Sequence, residues 1–333
     1  MTPSVADQTQ ERQDLGGRCP VCGADGARLL FVARDLHSLV PGDHTLLACG
    51  SCTHVFVDPR PGRDEMNRYY SGDYWLDMET AHEMTSGVRQ LIGMAAGAHP
   101  GGRALDVGCA AGKKTAALQA AGLQVTGLDP YEQACVAARE MYGIEAICAH
   151  LQEAVLPVES YDAITFFDVL EHVHDPVGDL RKVRALLKPG GAVYLKAPNN
   201  RSWQARVFGK WWAVLDPPRH LHHFTPRSLR RCLEAAGFAD VWSSSPPDPL
   251  GGFKFELSLL LWVRGTLWAR RGVVVTSVDG TPPDEMLRET TCPGVPRHLK
   301  QAFRRLARHV LYLPFALENI VGSSATLLAG GRK

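Results

Sequence analysis

From Ala104 onward the sequence alternates short apolar runs with amphipathic stretches, and this alternation restricts the possible folds more than any other feature. Ala104 to Val107, Gln124 to Leu128, Glu145 to Cys148, Ala163 to Phe167 and Ala192 to Lys196 read as strands. Thr115 to Ala121, Glu132 to Tyr142 and Val177 to Leu187 read as helices. Repeated βαβ units of this kind predict a parallel sheet covered on both faces, an α/β fold. Another helix starts after Thr225, a good N-cap, has Pro226 at its first position, and runs to about Ala236 before Gly237. Ala239 to Ser244 and Ala325 to Ala329 read as two more strands. With 45% hydrophobic residues among 333, the chain can fill one large core or two modest ones.

The first strand of this region runs into Asp106-Val107-Gly108-Cys109-Ala110-Ala111-Gly112, and Asp129 ends the second. Gly108 and Gly112 let the backbone pass close to a ligand, and the helix that follows offers N–H groups to an anion. Asp129 can accept both hydroxyls of a ribose, so the unit reads as an adenosine site. The turn is G-x-A-x-G rather than G-x-G-x-x-G, which fits a dinucleotide poorly.

Ala104 to Cys109 resembles motif I of the class I S-adenosylmethionine-dependent methyltransferases, and Val125 to Pro130 resembles their second motif. Tyr161-Asp162, Phe167 to Val173 and Leu187 to Gly191 resemble the later motifs in order. The resemblance implies a Rossmann-like seven-stranded sheet and S-adenosylmethionine as cofactor. By position it implies that Asp106 anchors the methionine amine region, Gly108, Cys109, Ala110 and Gly112 line the turn, and Asp129 with Pro130 meets the ribose. His150 and Leu151 would flank the adenine, and Phe167 with Asp168 would close the methionine end. Ala110 stands where the family's middle glycine is usual, and His150 where an acidic residue often precedes the adenine contact.

Cys19-x-x-Cys22 and Cys49-x-x-Cys52 form two knuckles, each followed by a small residue, Gly23 or Thr53. Four thiolates suit a tetrahedral structural zinc ion. The knuckles, Val55 to Pro61, Tyr69-Tyr70 and His220 to Thr225 look like the zinc-ribbon branch of these enzymes, which occurs in bacterial sugar, polysaccharide and natural-product pathways. The expected organisation is a disordered tail at 1–17, a separate zinc-ribbon module at 18–61 and a helical linker or lid at 62–100. The cofactor core spans 101–245, a helical insertion 246–322, and a terminal strand 323–333. Cys109, Cys135, Cys148, Cys232 and Cys292 are expected to be buried apolar side chains.

Net charge is +1, so no global field draws the chain to nucleic acid. Residues 1–65 hold six basic and nine acidic side chains, a poor phosphate-binding surface that disfavours a ribosomal RNA substrate. Residues 250–333 hold twelve basic and six acidic side chains, with Arg304, Arg305 and Arg308 at helical spacing. An anionic acceptor, or peripheral membrane contact through 250–317, could be met there. The absence of a signal-like N-terminus and the paired thiols lead to the expectation of a cytoplasmic protein.

The functional expectation is methyl transfer to a small molecule, a sugar or natural-product intermediate, with O- or C-methylation favoured. A ribosomal RNA methyltransferase and a non-catalytic, cofactor-binding assembly module are the alternatives. Such a transfer requires alignment and, for a hydroxyl or acidic C–H, a base. His220 is the first candidate base, as an imidazole near its ordinary pKa, and His172 is the second. Trp203, Trp211 and Trp212 either stack on the acceptor or pack their loop down, and Phe253 to Val263 with Trp262 and Trp268 either covers the acceptor or packs on the sheet.

Overall fold

The computed structural model describes residues 14–36, 40–70, 84–246, 258–259, 261–262 and 324–333. Four strands come first: β1 Asp14–Gly17, β2 Ala27–Arg34, β3 Asp43–Ala48 and β4 Val55–Val57. Helices α1 Arg63–Met66 and α2 Ser86–Ala98 follow. Then come β5 Arg103–Val107, α3 Lys113–Ala120, β6 Gln124–Asp129, α4 Glu132–Tyr142, β7 Glu145–Cys148, β8 Tyr161–Phe167, α5 Pro176–Leu186 and β9 Leu187–Pro198. The order closes with α6 Trp203–Phe208, the two-residue β10 His222–His223, α7 Pro226–Ala235, β11 Ala239–Ser244 and β12 Thr326–Arg332.

The larger sheet has seven strands in the order β11-β12-β9-β8-β5-β6-β7. β5 to β9 run parallel, whereas β12 lies antiparallel to both β9 and β11. Strand β8 is almost wholly buried, as expected of a strand covered on both faces. The helix boundaries follow local chemistry. Thr225 caps α7 by accepting from the Ser228 N–H, with Pro226 in the first turn, and Asp175 does the same for α5 from Gly178. Helix α4 stops at Gly143, whose φ of +64° an L side chain rarely adopts.

The smaller sheet, β1-β2-β3-β4-β10, departs from two expectations. Asp14–Gly17 pairs with β2, so the polar tail is ordered at its end, and residues 1–13 lie outside the described residues. The Cys-bearing segment is also not separate, because β4 pairs with β10 from the distant histidine loop. Cys19, Val21, Leu47 and Phe56 share one buried cluster with Phe224, Leu229 and Leu233 around α7. A small sheet with few apolar residues gains its buried face by packing on the larger unit. Apart from residues 258–259 and 261–262, the 246–322 insertion lies outside the described residues, as do Trp75 and Cys292.

A buried charge ties the histidine loop to the end of β2 in the small sheet. The Arg219 guanidinium is fully buried and donates to Asp35 after β2 (2.7 Å), to Asp216 and to the Tyr69 carbonyl (3.1 Å). Both carboxylates compensate a cation that burial would otherwise penalise. Arg219→Leu leaves Asp35 and Asp216 without their cation. Urea denaturation is expected to show a loss of about 3–5 kcal/mol, and a loss within experimental error would mean that the network does not hold the histidine loop to the small sheet.

Candidate functional site

The turn after β5 is built on left-handed backbone: φ is +71° at Gly108, +48° at Ala110 and +95° at Gly112. A Cβ at Gly108 would meet Val169 Cγ2 at 2.4 Å, so the turn closes directly onto the segment that follows β8. Ala110 takes a conformation that a glycine would adopt without steric cost, so the replacement noted in the sequence carries local strain. Cys109 is buried and fills the space left by Gly127, where a Cβ would lie 2.7 Å from its Sγ. Its backbone, not its thiol, is therefore what faces the turn.

Asp106 lies under this turn, 1% exposed, and accepts from the Thr115 and Thr165 hydroxyls at 2.7 Å each. It fixes the first turn of α3 to the sheet. Asp129 Oδ2 accepts from the Ala110 N–H and Oδ1 from the Tyr131 N–H, both at 3.0 Å. Burial pushes its pKa up despite these bonds. Each oxygen keeps a further lone-pair site, so the carboxylate can still accept from two hydroxyls. Pro130 is half-buried beside it, His150 is exposed and Leu151 is buried. The chemistry of the set fits an adenosine moiety: a close-approach turn, a helix start and a fixed carboxylate.

Phe167 is buried, and its carbonyl lies 3.5 Å from Lys114 Nζ. Asp168 has a φ of +61° and its carboxylate is engaged by the buried Lys196 ammonium at 2.6 Å. Lys196 was not singled out in the sequence, where it reads as the polar end of an apolar strand. Three residues further on, the Glu171 carboxyl is fully buried, and neither oxygen has a hydrogen-bond partner among the described residues. Burial and the neighbouring Asp168 charge push its pKa up to about 8.

The histidine loop is anchored to this same segment, since the N–H groups of Leu221 and His222 both donate to the Glu171 carbonyl at 2.8 and 3.0 Å. A carboxyl oxygen of Glu171 and one ring nitrogen each of His172 and His220 lie within 4.8 Å of one another. The two histidine rings meet edge to face at 4.7 Å. His220 Nδ1 lies 2.8 Å from the Val214 carbonyl and His172 Nδ1 lies 2.9 Å from the Arg219 carbonyl. A carbonyl only accepts, so Nδ1 carries the proton in each ring and Nε2 keeps the lone pair. Tyr70 Oη is 3.1 Å from the same His172 nitrogen.

The expectation of an ordinary imidazole is corrected here. Burial and the adjacent His172 push the His220 pKa down to about 3, and burial also lowers that of His172. The His220 ring is therefore neutral at working pH, and burial shifts His172 in the same direction. His222 and His223 are buried in the small sheet, with His223 Nε2 2.7 Å from the Leu215 carbonyl. Trp212 is 1% exposed and packs with Leu46, Val57 and Phe208, and Trp203 and Trp211 pack against that cluster. These aromatics hold their loop down. Trp268, Arg304, Arg305 and Arg308 lie outside the described residues.

The four knuckle cysteines converge in the small sheet. Cys19 Sγ lies 3.6 Å from Cys52 Sγ and Cys22 Sγ 3.6 Å from Cys49 Sγ, with all four within 4.8 Å of one another. A disulfide would bring two sulfurs to about 2 Å, whereas about 3.8 Å is the edge of a tetrahedron with arms of about 2.3 Å. Gly23 and Thr53 close the knuckles at φ of +71° and +64°. Thr53 Oγ1 also bonds Thr225 Oγ1 at 2.8 Å, tying the second knuckle to the α7 cap. Of the remaining cysteines, Cys109, Cys135 and Cys232 are buried, but Cys148 is exposed, contrary to expectation.

Comparison with known proteins agrees with this geometry. The family model of a methyltransferase domain matches residues 78–243. The ubiquinone biosynthesis O-methyltransferase of Bordetella bronchiseptica is 32% identical over 181 residues, covering 49% of this chain and 74% of that protein. The protein of the same name from Aeromonas salmonicida is 30% identical over 180 residues, 49% of this chain and 75% of that one. A solved phosphoethanolamine N-methyltransferase 2 from Haemonchus contortus, in complex with S-adenosyl-L-methionine, superposes with a TM-score of 0.50 at 18% identity, covering 84% of this chain and 61% of that one, which shows the shared fold. The matched segment holds the turn, Asp129 and the Glu171 region, and the chain belongs to the class I S-adenosylmethionine-dependent methyltransferases.

Proposed function

We propose that this enzyme methylates an oxygen or carbon nucleophile of a small molecule, a sugar or natural-product intermediate, with His220 as the base. The observation that carries this reading is the continuity of one segment. Val169 packs on Gly108 of the cofactor turn, and two residues later the Glu171 carbonyl holds the loop bearing His220. The relatives named O-methyltransferases support oxygen as the acceptor atom.

S-adenosylmethionine supplies an activated methyl group on a sulfonium. The Gly108 to Gly112 backbone and the start of α3 would bind it, and Asp129 would accept from its ribose hydroxyls. Pro130, His150 and Leu151 would border the adenine, and Phe167 with Asp168 the methionine end. His220 Nε2, the ring atom left with a lone pair, would take the acceptor's proton. His172, aligned by the Arg219 carbonyl and Tyr70, would hold the His220 ring or receive the proton in its place.

We also propose that Cys19, Cys22, Cys49 and Cys52 hold one structural zinc ion, on the strength of the tetrahedral spacing and a donor set of four thiols. The closed set leaves no coordination position for substrate. Four clustered thiols support a reducing compartment for the working protein, and no helix among the described residues is long and apolar enough to cross a membrane.

Three outcomes test these assignments. Elemental analysis should find one zinc per chain, and Cys49→Ser should lower stability far more than it changes cofactor affinity; a folded, unchelated protein with under half an equivalent would refute the site. Asp129→Ala should weaken S-adenosylmethionine binding by about 2 kcal/mol with the fold intact, read by calorimetry. His220→Ala should lower kcat by about a hundredfold or more with normal cofactor binding. If His220→Ala and His220→Gln both turn over within a few-fold of wild type, the base is elsewhere or the acceptor needs none.

A further inference from the structure

Glu171 is an exceptional ionisable group among the described residues. Its carboxyl is fully buried and makes no hydrogen bond among the described residues, yet it sits beside the cofactor turn and within 4.8 Å of ring nitrogens of His172 and His220. Asp168 approaches it from its own segment, Lys196 from β9 and Lys114 from α3. Structural carboxylates in cores are paired, because an unpaired buried anion costs several kcal/mol. The pairing this carboxyl lacks must come from a group that arrives later, or the carboxyl must stay protonated.

We propose that Glu171 is a charge-compensating positioning residue that loses its proton to solvent when the cationic cofactor binds, so that the site is ionised for catalysis only in the loaded enzyme. This rests on the placement of S-adenosylmethionine given above. Before the cofactor binds, Lys196 engages Asp168 and Lys114 lies at the Phe167 carbonyl, with Glu171 as a neutral acid. A sulfonium next to Asp168 adds a positive charge to this low-dielectric cluster, and Glu171 is the acid beside it that still holds a proton. Its O–H bond breaks, the proton passes to buffer, and the carboxylate remains.

The consequence reaches the base. Burial makes His220 a poor proton acceptor on its own, with its pKa pushed down to about 3. A carboxylate in the same cluster is the counter-ion that a protonated imidazole requires, so ionising Glu171 raises the basicity of His220 at the moment the methyl donor is in place. Without cofactor, the base stays weak.

S-adenosylmethionine and S-adenosylhomocysteine differ by one methyl group and one positive charge, which makes them the probes. Titration calorimetry of the full-length protein at pH 7, in buffers of different ionisation enthalpy, should give about one proton released per S-adenosylmethionine and none for S-adenosylhomocysteine. Below pH 8 the affinity for S-adenosylmethionine should rise about tenfold per pH unit and then level off, while that for S-adenosylhomocysteine stays flat. Glu171→Gln should abolish the difference in proton count. Equal counts for the two ligands, or a difference that persists in Glu171→Gln, would overturn the proposal. If that variant does not fold, the wild-type comparison and its midpoint near pH 8 decide alone. Failure of both ligands to bind would instead overturn the cofactor placement, and this inference with it.

Discussion

The Arg219 side chain donates to Asp35, Asp216 and the Tyr69 carbonyl with no exposure to water, and so joins parts of the chain that sequence separates by 184 residues. A guanidinium suits this position because its planar fork can serve two carboxylates and a carbonyl together. Once it is in place, Asp35 fixes the end of β2, Asp216 fixes the start of the histidine loop, and the Tyr69 carbonyl brings the aromatic pair toward His172. The β4-β10 pairing and the Val57 N–H to Leu221 carbonyl bond then follow at short range. The cysteine cluster and the histidine loop are in this sense one structural unit, so a cluster of thiols outside the cofactor turn can still determine where His220 stands.

The chemistry of the site depends on how many buried groups stay neutral. His54, His220, His222 and His223 all carry lowered pKa values because burial penalises the charged ring. His54 and His222 behave as stacked aromatic core residues, with ring centroids 5.2 Å apart. His220 differs because Glu171 is beside it. The raised pKa of that carboxyl makes it a cost to the free enzyme above the ordinary carboxylate range, which grows until pH passes about 8. Tolerating such a residue next to a cofactor site is the usual exchange of stability for function.

The main sheet was legible because strand and helix periods differ and each βαβ unit announces itself locally. From Arg103 to Ser244 the strand and helix limits fall within a few residues of the expected ones, apart from α6 and β10, which were not expected. The Cys knuckles were legible for the same reason, since Gly23 and Thr53 follow directly in sequence. What could not be read was set by contacts between distant segments. The two-residue β10 has no period, and Asp35 sits in a stretch with nothing to mark it as the partner of Arg219. Glu171 carries no signal of its own in the sequence, and its burial without a hydrogen-bond partner among the described residues is what distinguishes it. Likewise, the histidines' tautomers depend on carbonyls from Val214 and Arg219, which no motif records.

The claim that the small sheet and the histidine loop form one unit can be tested by native-state hydrogen exchange. The Val57 amide donates to the Leu221 carbonyl across this junction, the Cys49 amide closes its own knuckle on the His54 carbonyl, and the Leu221 and His222 amides anchor the loop on the Glu171 carbonyl. The account predicts that all four exchange through one opening, with the same free energy and the same dependence on denaturant. If the Cys49 and Val57 amides open at clearly lower free energy while Leu221 and His222 stay protected, the two parts are independent and the account is wrong.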